Sequence, residues 1–260
     1  MNDNILSINN LTVTLRDDQA TSILSDVSIA VPQGAIVGLV GGSGSGKTTT
    51  GMATLGLLPA AMRIAGGKIL FDGRDLTELS EPGLREVRGK SIGFVFQEPV
   101  SAFDPLFTIG SQIAESIQAH ERVSAEALQS RIISLLSSVG LPDPLRAARS
   151  YPHELSGGLR QRAMIAQAIA CGPSLLIADE PTSSLDVTLQ AHIMELFRQL
   201  RKDLGLSVLL ISHDLGMVRN LADEVVILER GRVVEQGPVS RVMAAPRHEY
   251  AKKLIEAETL

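Results

Sequence analysis

The stretch Ala35-Ile36-Val37-Gly38-Leu39-Val40-Gly41-Gly42-Ser43-Gly44-Ser45-Gly46-Lys47-Thr48 decides how the rest of the chain is read. Its opening, Ala35 to Val40, is a short continuous apolar run, the pattern of a strand buried on both faces. Gly41 to Thr48 then fits the spacing G-x-x-x-x-G-K-[ST]. Glycines let a backbone curl so that successive N–H groups point inward at a polyphosphate, and a helix starting directly afterwards adds its dipole. Lys47 is expected on the β- and γ-phosphates and the Thr48 hydroxyl on Mg2+, with Gly41, Gly42, Ser43, Gly44, Ser45, Gly46 and Thr49 forming the cradle. An accidental Gly/Ser linker has no reason to sit between a buried strand and a helical segment.

Working outward, Ile5–Ile8, Leu11–Leu15 and Ile23–Val31 read as strands, with turns at Pro32-Gln33-Gly34 and Asp72-Gly73-Arg74. A helix is expected over Gly51–Leu58, and strands over Gly67–Phe71 and Ser91–Phe96. From Gln97 to about Leu155 the apolar residues recur at helical spacing: Leu128, Ile132, Leu135, Leu136 and Val139, with Ser124 as N-cap and Gly140-Leu141-Pro142 as a stop. Strand and helix then alternate: helix Leu159–Ala170, strand Ser174–Ala178, helix Leu189–Leu204, strand Leu206–Ile211. Strands Glu224–Leu228 and Val233–Glu235 flank a Gly231-Arg232 turn, and Glu249–Ala257 closes as a helix. This alternation predicts an α/β fold with a largely parallel sheet, interrupted by an inserted helical subdomain.

Leu175-Leu176-Ile177-Ala178-Asp179-Glu180 carries the second signal. An apolar strand ending in a carboxylate puts Asp179 at the C-terminal edge of the sheet, where nucleotides bind in open α/β folds. Asp179 is expected to hold Mg2+ through its water shell, and Glu180 to orient and deprotonate an attacking water. In Leu155-Ser156-Gly157-Gly158, Ser156 can cap the helix starting near Leu159, leaving Ser156, Gly157, Gly158 and free N–H groups as a second anion site. A triphosphate already cradled at Lys47 hardly needs a second cradle in the same chain. The economical explanation is a γ-phosphate held by a partner subunit.

Taken in order, Gly41–Thr48, Gln97, Leu155–Gly158, Leu175–Glu180, Ser184-Leu185-Asp186 and His213 resemble the ATP-binding-cassette ATPases over about Leu6 to Glu235. The resemblance implies a P-loop NTPase (RecA-like) α/β core with an N-terminal antiparallel β subdomain and an inserted helical subdomain. It implies one cassette over 1–260: a core at 1–96 and 161–235, a helical subdomain at 97–160 and a tail at 236–260. ATP and Mg2+ are the implied cofactors. Gln97 then stands as the glutamine that touches Mg2+ and the attacking water, and His213 as the histidine on the γ-phosphate. Asp186 belongs to a loop crossing a dimer interface. Arg160, Gln161 and Arg162 are expected on the subdomain surface. Leu15 stands where an aromatic usually stacks on adenine, so apolar contact without a ring face is expected. Leu159 stands where Gln is frequent.

Three segments resemble the peptide/nickel importer branch: Gln97–Pro105, Tyr151-Pro152-His153-Glu154, and the tail Pro246–Leu254. Gly42, where Glu is frequent, and Ser101–Pro105 look closest to nickel-type members, so a nickel or metal-chelate cargo is expected ahead of a peptide. The implied partners are a second cassette, identical or related, two membrane permeases and an extracytoplasmic binding protein. Phe103 is expected to contact a permease, although a rigid loop with a core Phe would look the same in sequence. The implied place is the cytoplasmic face of the membrane, as a peripheral subunit. Longer branch members often carry a cysteine-rich extension. This sequence stops at Leu260, so no cluster is expected.

Composition agrees. The 260 residues carry 24 Lys+Arg against 29 Asp+Glu, a net charge of −5, which disfavours a protein that neutralises nucleic-acid phosphates. Cys171 is a lone cysteine, which excludes a disulfide framework, and no Cys/His spacing suggests zinc. The polar Met1-Asn2-Asp3-Asn4 start is unlike a signal peptide, and no apolar run approaches the ~18–20 residues of a membrane span. His120, His153, His192 and His248 are scattered and read as structural or surface residues. The other readings are a DNA-repair or chromosome cassette, an exporter-type cassette and a non-hydrolysing pseudo-enzyme. The first lacks its coiled-coil or zinc insertion here, and the last is disfavoured by Lys47, Asp179, Glu180 and His213.

Overall fold

A computed structural model describes residues 3–17, 21–183 and 185–258. In chain order these form β1 (Asn4–Leu15), β2 (Ser22–Pro32), β3 (Ile36–Val40), α1 (Lys47–Thr54), β4 (Met62–Phe71), β5 (Arg74–Asp75) and α2 (Glu81–Val87). Next come β6 (Ile92–Val95), α3 (Pro99–Ala102), α4 (Ile109–Gln118), α5 (Ala125–Ser138), α6 (Pro144–Arg149), α7 (Gly157–Ala168), β7 (Leu175–Asp179) and α8 (Val187–Leu204). The chain ends with β8 (Ser207–Ser212), α9 (Leu215–Leu221), β9 (Glu224–Glu229), β10 (Arg232–Pro238), α10 (Val239–Ala244) and α11 (Glu249–Glu258). Two compact units result, one of residues 1–85 with 201–260 and the other of 86–200.

In the first unit, β3 lies between β8 and β9 and is parallel to both, while β10 pairs antiparallel with β9. All five residues of β3 are buried, as a strand covered on both faces requires. A second, antiparallel sheet runs β2-β1-β4-β5. The expected runs Ile5–Ile8 and Leu11–Leu15 are one strand, β1, whose pairing shifts between Ile8 and Leu11. Asn10 sits in that irregularity at φ +52, a left-handed conformation that asparagine tolerates better than most residues. β4 starts five residues before the expected Gly67, because Met62 to Gly66 pair with Thr12 to Leu15 although their sequence does not alternate and none of them is buried. The β9–β10 turn falls on Arg230-Gly231, both at positive φ (+47 and +75), one residue earlier than expected.

In the second unit, β6 and β7 pair in parallel. In the same unit α4 buries Ile109, Ile113 and Ile117 at a spacing of four, and α8 buries Ile193, Leu196, Phe197 and Leu200. Ser124 caps α5 by accepting the Ala127 N–H, and Gly140 at φ +76 ends the segment, both as the sequence predicts. Arg131 forks onto Glu121 at 2.6 and 3.1 Å and also donates to the Ala170 carbonyl at 2.6 Å. That guanidinium holds the Glu121 carboxyl below the usual carboxylate range despite partial burial.

Strand glycines set how closely helices approach. A Cβ on Gly38 would collide with the Val218 side chain of α9, and one on Gly93 would collide with the Ala168 carbonyl at the end of α7. Gly38→Val is therefore expected to destabilise the protein by about 1–3 kcal/mol, through overpacking of a close-packed layer. A lower denaturant midpoint with an unchanged slope is the expected signature, and an unchanged midpoint would refute the close approach.

Candidate nucleotide site and signature helix

The first unit holds the phosphate loop. Val40, the last residue of β3, is level with Ser212, the last of β8, so Gly41 and His213 leave neighbouring parallel strands at the same height. This is the edge at which open α/β sheets bind ligands. The loop's curl depends on Gly46 at φ +105, where a Cβ would strike Leu24 of β2. α1 begins at Lys47 itself, four residues before the expected start at Gly51, and ends at Thr54 rather than Leu58. The loop thus runs straight into a helix N-terminus, as an anion cradle needs.

Three other contacts fix its shape. The Lys47 ammonium, buried, donates to the carbonyls of Gly41 at 2.8 Å and Gly42 at 3.1 Å. Gly231, in the β9–β10 turn, donates its N–H to the Ser45 carbonyl at 2.9 Å. The Tyr250 hydroxyl accepts the Gly42 N–H at 2.8 Å. Leu24, Gly231 and Tyr250 were not read as site residues from the sequence. Their signal is a tertiary contact between segments far apart in the chain. Leu15 ends β1 opposite Met62 of β4 and is half-buried. His213 is exposed, and the next residue, Asp214, caps α9 through the Met217 N–H.

The second unit gathers the carboxylates. Val95 is paired with Ala178, so Phe96-Gln97 leave β6 beside Asp179-Glu180 leaving β7. Gln97 Nε2 donates to Glu180 Oε2 at 3.3 Å. Asp179 is buried at the strand end. Glu180 adopts φ +46, a left-handed conformation, and its carbonyl accepts the N–H and hydroxyl of Ser183, both at 3.2 Å. Asp186 caps α8 by accepting the Leu189 N–H at 2.9 Å. Ser184, in the same loop, lies outside the described residues.

Ser156 caps α7 by accepting the Leu159 N–H, and the helix starts at Gly157, two residues before the expected Leu159. A Cβ on Gly157 would meet open space, whereas one on Gly158 would press on Leu189 of α8. Gly158 is thus required by packing, and Gly157 leaves the helix tip bare. Arg160 and Arg162 are half-buried and Gln161 is buried, contrary to the expected surface position. Arg160 ties down the carbonyls of Pro152 and Leu155, and Arg162 donates to Val139.

Phe103 corrects another expectation. It is 3% exposed and belongs to the core. The exposed apolar residues of this segment are Val100 at 64%, Leu106 at 77% and Phe107 at 55%. Gln112 of α4 holds their loop by donating to the carbonyls of Asp104 and Phe107 and accepting the Asp104 N–H. Cys171 donates to the Ser116 carbonyl, and burial pushes its thiol up, away from reactive thiolate character. Among the described residues no helix is long and apolar enough to cross a membrane.

The loop fits a polyphosphate. The Ser45 hydroxyl is buried with no hydrogen-bond partner among the described residues, and a Cβ on Gly44 would meet open space. An orphaned donor in a loop with one bare glycine is what a bound phosphate would satisfy. For Mg2+, the Thr48 hydroxyl in the first unit and the Gln97 amide and Asp179 carboxylate in the second each offer oxygen, the donor that ion prefers.

Comparison with known proteins agrees with these features. The ABC transporter family profile matches residues 24–183. The peptidoglycan transport ATP-binding protein YejF of Agrobacterium fabrum is 47% identical over 256 residues, covering 98% of this chain and 47% of that protein. The chain thus spans about half the length of that relative. The dipeptide transport ATP-binding protein DppD of Escherichia coli is 42% identical over 254 residues, covering 97% of this chain and 78% of its own. Among solved structures, CbiO1 of Clostridium perfringens, part of the ABC transporter complex CbiONQ, superposes with TM-score 0.82 at 27% identity, covering 94% of this chain and 92% of that one. The ATP-binding cassette MJ0796, a dimer bound to ADP and Pi, gives TM-score 0.79 at 28% identity over 90% of this chain and 98% of its own. The chain belongs to the ABC transporter family and is one of its ATPase cassettes, the modules of that family that work on ATP with Mg2+.

Proposed function

We propose that this cassette is the ATPase subunit of an importer on the cytoplasmic face of a membrane, and that its cargo is a peptide. The carrying observation is the phosphate loop issuing from β3 level with His213 at the end of β8. In this reading Lys47 and the Gly41–Thr49 loop bind the triphosphate, through N–H groups other than that of Gly42, which the Tyr250 hydroxyl takes, with His213 on the γ-phosphate. Leu15 gives the adenine an apolar contact. Thr48, Gln97 and Asp179 would hold Mg2+. Bound there, Mg2+ neutralises charge on the β- and γ-phosphates. Glu180 takes the proton of the attacking water while Gln97, already hydrogen-bonded to it, orients that water.

A second cassette supplies Ser156, Gly157 and Gly158 to the γ-phosphate, and Asp186 lies in the loop that crosses between the two. The bare helix tip at Gly157 supports this, as does the dimeric state of MJ0796. ATP then bridges the two halves, and hydrolysis releases them. The division read from the sequence, with 97–160 as the helical part and 236–260 as a tail, is carried into this reading. Val100, Leu106 and Phe107, rather than Phe103, are the residues offered to two partner permeases, and an extracytoplasmic binding protein delivers cargo to them.

The relatives bear on cargo. Those in Agrobacterium and Escherichia coli are named for peptidoglycan and dipeptide transport, and a Bacillus subtilis relative, 45% identical over 230 residues, for oligopeptide transport. The sequence-based preference for nickel rests on Gly42 and Ser101–Pro105 alone, so the peptide reading stands ahead of it. Reconstituted uptake with dipeptide and nickel side by side tests the choice, and nickel uptake without peptide uptake would reverse it.

Three variants test the mechanism. Glu180→Gln is expected to lower turnover by about 10²–10⁴-fold while ATP still binds and traps a dimer, seen by light scattering. Hydrolysis at the parent rate would remove Glu180 as the base. Lys47→Ala is expected to weaken ATP binding by about 10–100-fold in calorimetry, the scale of a lost charge-assisted hydrogen bond. Leu106→Asp combined with Phe107→Asp is expected to abolish stimulation by the permeases and leave basal ATPase intact. Retained stimulation would place the docking face elsewhere.

A further inference from the structure

The phosphate loop is held by the far end of the chain. Tyr250, in the first turn of α11, accepts the Gly42 N–H at 2.8 Å, and the Gly42 carbonyl accepts the Lys47 ammonium at 3.1 Å. Gly42 is therefore gripped on its donor side by the tail and on its acceptor side by the lysine. The two also match in shape, since a Cβ on Gly42 would come 3.1 Å from the Tyr250 oxygen.

Tyr250 is itself fixed. Glu235 of β10, 7% exposed, accepts the N–H groups of Arg247 at 2.8 Å and His248 at 2.9 Å, and the Arg241 guanidinium at 3.2 Å. Burial alone would raise this carboxyl, but these donors outweigh it and hold it below the usual range. The anchor therefore persists above the ordinary carboxylate pKa and is lost only as the pH falls below it. His248 Nδ1 then accepts the Tyr250 N–H at 3.2 Å, and Ala251 beside it is fully buried. A continuous set of contacts runs from a buried carboxylate to the phosphate loop.

We propose that Tyr250 is a positioning residue for ATP binding: by fixing Gly42 it sets the curl of the phosphate loop and the resting place of the Lys47 ammonium, so that the tail tunes affinity for the triphosphate. Nothing in the chemistry needs Tyr250 to touch the nucleotide. Its contribution is pre-organisation, a loop held in its binding shape before the ligand arrives. The proposal rests on the assignment of Gly41–Thr49 as the phosphate loop.

The test measures the Kd for Mg·ATP by calorimetry, KM and kcat for basal hydrolysis, and thermal unfolding, all on the full chain. Tyr250→Phe keeps the ring and removes the hydroxyl. Kd and KM are expected to rise about 3–10-fold, the scale of one hydrogen bond, with kcat within about twofold. A structural role alone would lower the unfolding midpoint and leave Kd and KM in place, which would overturn the proposal. Gly42→Ala probes the same contact from the loop side. It is expected to weaken ATP binding in the parent and to add little in the Tyr250→Phe background, whereas additive effects would overturn the coupling. Lys47→Ala separates the two levels. If it weakens ATP binding while Tyr250→Phe does not, the brace alone is wrong. If Lys47→Ala itself leaves Kd unchanged, the phosphate-loop assignment fails and the proposal goes with it.

Discussion

Parallel pairing of β3 with β8 and β9 is the constraint on which the nucleotide-binding half depends. It fixes the height at which Gly41 and His213 leave the sheet, so a backbone loop and a side chain meet one edge without a designed contact between them. The same device recurs in the second unit, where the β6–β7 register delivers Gln97 and Glu180 to a hydrogen bond. Strand register is a cheap way to aim chemistry, because a two-residue slip would move either group by about 6.6 Å. The price is that the aim is only as rigid as the layers that hold the strands, and Gly38 and Gly93 show how closely those layers lie.

Much of this was legible in the sequence. Gly41–Thr48 could be read because glycine, lysine and threonine at that spacing have few other uses, and Leu175–Asp179 because an apolar run ending in carboxylates is a strand with a purpose. Ser124 and Ser156 were legible as caps for local reasons, since a cap needs only the next three residues. The start of α1 was not. Thr48, Thr49 and Thr50 form a β-branched run of low helix propensity, and the helix forms there because its N-terminus is part of the loop. Short helices such as α9 and α10, of seven and six residues, give too few turns for a period to show.

What stayed hidden was long-range. Phe103 and Phe107 are four residues apart with the same side chain, and only packing decides that one is core and the other exposed. Gln112 gave no signal either, because a buried glutamine is recognisable only once the loop it staples is seen. Tyr250 stood in the sequence as a marker of a branch of the family. Its hydroxyl on the phosphate loop is a contact between residues 208 positions apart, which no local pattern reports.

Glu180 holds one further consequence. A left-handed residue with a side chain costs about 1–2 kcal/mol relative to the ordinary helical region, a cost that glycine would not bear. With Glu180 as the proposed base, thermodynamic stability and chemistry pull this position in opposite directions. A screen that rewards only thermal tolerance would drift towards glycine there and would return a sturdier cassette with an idle motor.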